Sequence, residues 1–93
     1  MILEIVSPEA SLFKGKVNSV AVPGVDGDFQ MLNNHAAIVS TLTNGNIRIE
    51  ADNFVFFKET ASKFSKETDQ KYSLAITSGT LELKDNQIII LVD

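Results

Sequence analysis

Ninety-three residues and 10.2 kDa leave room for one domain, expected over residues 1–93. Twelve acidic against eight basic residues give net −4, and only one arginine, Arg48, is present. This excludes the clustered cations that duplex nucleic acid or anionic lipid would demand, and the absence of cysteine excludes disulfides and thiolate metal sites.

From the N-terminus, the apolar pattern has mostly period two. Met1-Ile2-Leu3-Glu4 lacks the positive charge of a secretory leader. Ile2 to Val6 is β-rich with few polar interruptions, and Ile88 to Val92 is similar. Both read as strands covered on two faces, or covered by a partner. Val20 and Val22, Ile47 and Ile49, and Leu81 and Leu83 each alternate with polar or small residues. That pattern belongs to antiparallel strands with one face on a core and one in water. Turn signals recur at Pro8-Glu9, Lys14-Gly15, Pro23-Gly24, Asp26-Gly27, Asn44-Gly45, Ser78-Gly79 and Asp85-Asn86. Strands are therefore expected near 2–7, 11–13, 16–22, 27–32, 36–42, 46–50, 53–59, 71–77, 80–84 and 87–92. Ten short strands with frequent turns indicate an all-β fold, a small, mostly antiparallel sandwich. Between Lys58 and Lys71, seven of fourteen residues are charged and only Ala61 and Phe64 are apolar. Pairs four apart, Glu59 with Lys63 and Lys63 with Glu67, permit a short helix. A mobile hairpin tip fits better, because too little apolar surface is available to anchor a helix.

Catalytic equipment is sparse. His35 is the only histidine, and neither a nucleophile elbow nor a cysteine accompanies it. It reads as a loop histidine bonded to backbone or set in an interface. Asp26-Gly27-Asp28 holds two carboxylates but lacks the further oxygen ligands of a calcium loop. It reads as a solvated turn or a recognition loop. Pro23 to Gly27 has two glycines without a following Lys-Ser or Lys-Thr, so it is no phosphate cradle. Phe54 and Phe56 fall on one face of an expected strand, with Val55 and Phe57 on the other. Core or partner packing is their expected use, since a stacking platform for single-stranded nucleic acid needs a basic groove. The residues describe a small acidic sandwich, better suited to a scaffold or assembly role than to an enzyme.

The stretch Pro23 to Ile49, PGVDGDFQMLNNHAAIVSTLTNGNIRI, resembles the epsilon subunit of F-type ATP synthases. That family shows Pro-Gly-x-x-Gly-Glu-Phe/Leu-Gly-Ile/Val-Leu-Pro-x-His-Ala-Pro-Leu, followed by Leu-x-Pro-Gly-x-x-Arg-Ile. Leu3 to Glu9, Leu12 to Val17, Thr77 to Leu83 and Asn86 to Val92 are similar to further family strands, while 51–71 matches poorly. Gln30 stands in place of a family glycine, and Asn33, Ala37 and Asn44 in place of prolines. The resemblance implies a noncatalytic rotor part of the central stalk, without cofactor or metal. Its partners would be the gamma subunit and the c-ring, and it would couple ion flow to ATP synthesis. Membrane association would run only through the complex, at the cytoplasmic face of a bacterial inner membrane. The family's gamma-facing surface corresponds to Ser7, Leu12, Phe13, His35, Val39 and Ser40, with Leu12 and Phe13 expected in an exposed docking patch. The c-ring-facing loop corresponds to Gly24, Val25, Asp26, Gly27 and Asp28. Most family members continue into a helical hairpin, whereas this sequence ends at Asp93. Coupling without hairpin-based inhibition or nucleotide binding is the corresponding expectation. The alternatives are a carbohydrate-binding or adhesion sandwich, disfavoured by a single tyrosine and no tryptophan, and a small hydrolase, which would need an acid or base near His35.

Overall fold

The computed structural model describes residues 1–93. It contains ten strands: β1 (Ile2–Val6), β2 (Ser11–Lys16), β3 (Ser19–Gly24), β4 (Gly27–Leu32), β5 (Ile38–Leu42), β6 (Gly45–Glu50), β7 (Phe64–Thr68), β8 (Lys71–Ile76), β9 (Gly79–Lys84) and β10 (Gln87–Val92). Helical structure is limited to a 3₁₀ turn at Ala61–Lys63. The strands form one curled sheet in the order β2-β1-β10-β9-β5-β3-β6-β8-β7, with β4 paired to the free side of β3. β5 meets β3 only at Leu42 opposite Gly24, and this corner folds the sheet into two facing halves. Every pairing is antiparallel except β1 with β10, which run parallel from Ile2 opposite Gln87 to Val6 opposite Leu91. The expected all-β sandwich is the fold found.

Alternation explains the core. Leu3 and Ile5, Ile88 and Ile90, and Leu81 and Leu83 line the inside of one half, facing Val20, Val22, Ile47, Ile49 and Leu74 from the other. Burying apolar area of this kind contributes about 25 cal/mol per Å². Tight turns close the hairpins. Asp85 and Asn86 both take positive φ, 51° and 61°, as a two-residue turn of the right twist requires.

Three sequence expectations change. The glycine signal at Lys14-Gly15 is not a turn: β2 runs through it, and the Phe13 ring lies over Gly15, where an added Cβ would sit 3.2 Å from Cζ. The stretch 53–59 is no strand. It forms an extended strap whose Phe54 and Phe56 stack at 5.4 Å and close the open side of the sandwich against Phe13, Phe64 and Tyr72. Thr60 is buried behind it and donates its hydroxyl to the Leu12 carbonyl at 3.1 Å. In the charged segment, β7 forms as an edge strand on β8, with only Phe64 buried.

Candidate functional site

The outer face of the β5-β9-β10-β1 half carries the most unusual surface. With Leu81, Leu83, Ile88, Ile90, Leu3 and Ile5 pointing inward, their neighbours point out. Register places Val39 beside Glu82, Glu82 beside Ile89, and Ile89 beside Glu4. The next row runs Thr41, Thr80, Leu91, Val6. Val39 is 77% exposed, Leu91 52%, Ile89 43% and Ile2 39%, so this face presents an apolar stripe where an outer sheet face is ordinarily polar. Glu82 stands between Val39 and Ile89, and Glu4, Lys14, Lys16 and Lys84 border the rest. A sheet fixed by ladders on both sides holds such side chains rigidly, at little entropy loss on contact.

Two loops bound the face. Ser7 opens a turn in which its hydroxyl donates to the Ala10 carbonyl at 3.2 Å and its own amide bonds the same oxygen at 2.8 Å. At the other end of the strands, His35 lies exposed between β4 and β5, and its Nδ1–H donates to the Ala36 carbonyl at 2.7 Å. That loop is pinned to the β9–β10 turn. The Asn34 amide donates to Asn86 Oδ1 at 2.6 Å, and Asn86 Nδ2 donates to Asn34 Oδ1 at 3.0 Å. Asn34 itself takes φ 67°, a left-handed conformation that asparagine tolerates.

The six residues read as one docking surface are not equivalent. Val39 points outward, Ser40 turns inward beside Leu81 and is half-buried, and Ser7 and His35 sit at opposite ends of the face. Leu12 and Phe13 are not exposed: they are 4% and 1% accessible, in the core. The expected exposed patch at these two positions is thereby corrected. A bulge is the reason. Ile5 pairs with Phe13 but Val6 pairs with Ser11, so Leu12 is the extra residue, and both consecutive side chains turn inward. Ile2, Ile89 and Leu91 were missed as surface residues. Their signal was present in the two apolar runs read as needing cover on both faces.

Asp26 and Asp28 project from the β3–β4 tip. Val25 and Asp26 form its turn, and Gly27 takes φ 122°. Val25, Asp26, Gly27 and Asp28 are exposed, while Gly24 is buried. A side chain at Gly24 would meet the Gly27 carbonyl at 2.8 Å and the Phe29 ring at 3.0 Å, so the tip stays narrow. Val25 donates its amide to the Thr41 carbonyl at 3.0 Å, which ties the tip to β5. No group of three His, Asp or Glu side chains converges as a metal site. An exposed ion pair lies far from this tip in sequence. Lys66 donates to Asp69 at 2.8 Å, and this hydrogen bond and then the opposite charge lower the Asp69 carboxyl and raise the Lys66 ammonium.

A family profile described as "ATP synthase, Delta/Epsilon chain, beta-sandwich domain" matches residues 1–61. The ATP synthase epsilon chain of Leptospira interrogans is 35% identical over 91 residues, covering 98% of this chain and 59% of that protein. The epsilon chain of Chlorobaculum tepidum is 33% identical over 91 residues, covering 98% of this chain and 86% of that protein. Among solved structures, a chain of the Tetrahymena thermophila mitochondrial ATP synthase central stalk and c-ring superposes with TM-score 0.71 at 18% identity. That superposition covers 99% of this chain and 62% of the other. It is a likeness of fold. The chain spans about three fifths of the length of the Leptospira relative.

Proposed function

Because the chain belongs to the beta-sandwich domain family of the ATP synthase delta/epsilon chain, we propose that it is a noncatalytic central-stalk subunit of an F-type ATP synthase. In this reading it joins the gamma subunit to the c-ring and turns with them, so that ion flow couples to ATP synthesis. The observation that carries the reading is the rigid apolar stripe of Val39, Ile89, Leu91 and Ile2 on an outer sheet face. Exposed apolar groups gathered on one face of a small domain favour burial against a partner. The gamma subunit takes this face, with Ser7 and His35 at its two ends and Ser40 at its rim. Leu12 and Phe13 act from inside, holding β2 and the bulge in place. The narrow tip of Gly24, Val25, Asp26, Gly27 and Asp28 meets the c-ring. Its two carboxylates there act as rim charges, which set on-rate and salt sensitivity more than affinity. The subunit then sits peripherally at the cytoplasmic face of a bacterial inner membrane, held there by its complex.

The test is co-purification with a tagged gamma subunit. The wild-type chain is expected to be retained. Ile89→Lys, an exposed position on β10, is expected to lower retention while the far-ultraviolet dichroism and melting curve stay those of the wild type. Retention of a folded Ile89→Lys and Val39→Glu double variant at the wild-type level would refute the assignment of this face.

A further inference from the structure

We propose that Asn44 is a site of spontaneous succinimide-mediated modification, whose product sets a new carboxylate against the base of the β3–β4 tip. Seven asparagines occur in the chain, and the structure separates them. Asn18 donates its side-chain amide to Asp52 at 3.0 Å, and Asn33 accepts from the N-terminal ammonium at 3.0 Å. Asn34 and Asn86 bond each other. Asn44, Asn46 and Asn53 make no side-chain hydrogen bond and are exposed. Of these three, Asn46 precedes Ile47 and Asn53 precedes Phe54, whose side chains crowd the following backbone nitrogen. Only Asn44 precedes a glycine, and the missing Cβ leaves the nitrogen of Gly45 open to approach.

The fold itself demands that glycine. A Cβ at Gly45 would lie 2.8 Å from Pro23 Cβ and 3.1 Å from Pro23 Cγ. Packing against Pro23 and an open nitrogen next to Asn44 are thus two results of one requirement. Asn44 lies in the short link between β5 and β6, outside the ladders, and Gly45 opposite Ile76 is the terminal pair of the β6–β8 ladder. Ladder ends open locally at low free energy, so release of the Gly45 amide does not require global unfolding.

A hydroxide or water base takes the proton of the Gly45 backbone N–H. The nitrogen attacks Asn44 Cγ and a C–N bond forms; the Cγ–Nδ2 bond breaks, and the side-chain nitrogen takes a proton from water and leaves as ammonia. Water then opens the five-membered imide at either carbonyl. Opening at one carbonyl gives aspartate; at the other it gives isoaspartate, with one extra methylene in the backbone. Either product adds one negative charge to a chain of net −4. Asp28, Asn44 and Arg48 line one shallow cavity beside Pro23, so the new carboxylate adds to the Asp28 side of this surface and finds Arg48 within the same hollow. The extra backbone atom of the isoaspartyl form strains the link that carries the Thr43 amide to the Pro23 carbonyl bond, 2.8 Å.

The experiment incubates the full chain in mildly alkaline buffer and follows it by peptide mapping with mass spectrometry. Labelling by an isoaspartyl methyltransferase marks the isoaspartyl product. Modification at Asn44 is expected to exceed that at the other six asparagines together, in a chain whose dichroism is still native. Asn44→Ser is expected to abolish the label in the peptide that carries position 44 without lowering the melting temperature. If another asparagine reacts first, or modification is spread evenly, the proposal fails. If the urea-unfolded chain reacts at Asn44 while the folded chain does not, the β5–β6 link is shielded and the proposal also fails.

Discussion

Replacing Phe13 with alanine tests the packing of the aromatic cluster directly. The ring is 1% exposed and meets Phe54, Phe56 and Phe64 at centroid distances of 6.2, 5.7 and 6.1 Å. It also roofs Gly15, whose open position it fills. The strap from Asn53 to Phe57 has no ladder of its own, so it cannot follow the lost ring inward without drawing Phe54 and Phe56 away from Tyr72. A cavity should therefore persist, and truncations of this kind cost about 3–5 kcal/mol. A domain of this length has about 5–14 kcal/mol in all, at about 0.05–0.15 kcal/mol per residue. At roughly 4–8 °C per kcal/mol, the melting temperature should fall by roughly 12–40 °C. Urea unfolding followed by dichroism measures the loss, with Phe13→Leu as a control expected to lose under about 1.5 kcal/mol. A loss below about 1 kcal/mol for Phe13→Ala would show that the strap does not depend on this ring, against the packing described. By the same geometry, Phe13→Asp would bury a charge and should unfold the domain, so weakened partner binding by that variant would not map an interface.

Gly79→Ala should destabilise by about 1–3 kcal/mol in the same urea assay, because its Cβ would stand 2.6 Å from the Leu91 carbonyl oxygen and force β9 from β10. The double change Asp26→Asn and Asp28→Asn should leave the melting curve intact and flatten the salt dependence of association with the c-ring-bearing complex; an unchanged salt profile would move the tip away from that contact. For Asp69, the carboxyl is held below its ordinary value of 3.8 by the Lys66 hydrogen bond and charge, so its small contribution is present above that pH and disappears as pH falls through the lowered midpoint. NMR titration should give a higher Asp69 midpoint in Lys66→Met, and high salt should shrink the difference between the two proteins.

Periodicity carried most of the fold. Where polar and apolar residues alternate strictly, as in Leu81 to Lys84 and Gly45 to Glu50, strand and face were both legible. The errors arose where a long-range contact decides a local signal. Lys14-Gly15 looked like a turn, yet Gly15 is paired with Leu3 of β1 and β2 runs on through it. Phe64 to Thr68 has no apolar alternation and is a strand only because β8 offers it a ladder. Phe54 to Phe57 is a β-rich apolar run whose burial alternates as in a strand, but it joins no ladder. For the site, the hairpin tip and His35 could be placed from turn chemistry. Leu12 and Phe13 could not, because the bulge that turns both inward exists only in the pairing with β1. Ile89 and Leu91 were hidden by their own neighbours: a run of five apolar residues does not say which of its faces the core takes.

The parallel pairing of β1 with β10 has a mechanical consequence. Ile2 lies at one end of this pair and Val92 at the other, because the two strands run in the same direction. Tension applied between these residues would slide β1 along β10 rather than open the pair from one end. Five register positions, Ile2 with Gln87 through Val6 with Leu91, would then bear the load together. An antiparallel hairpin pulled by its two ends yields one bond at a time, like a zip. Joined in shear instead, β1 and β10 resist until the whole ladder gives way.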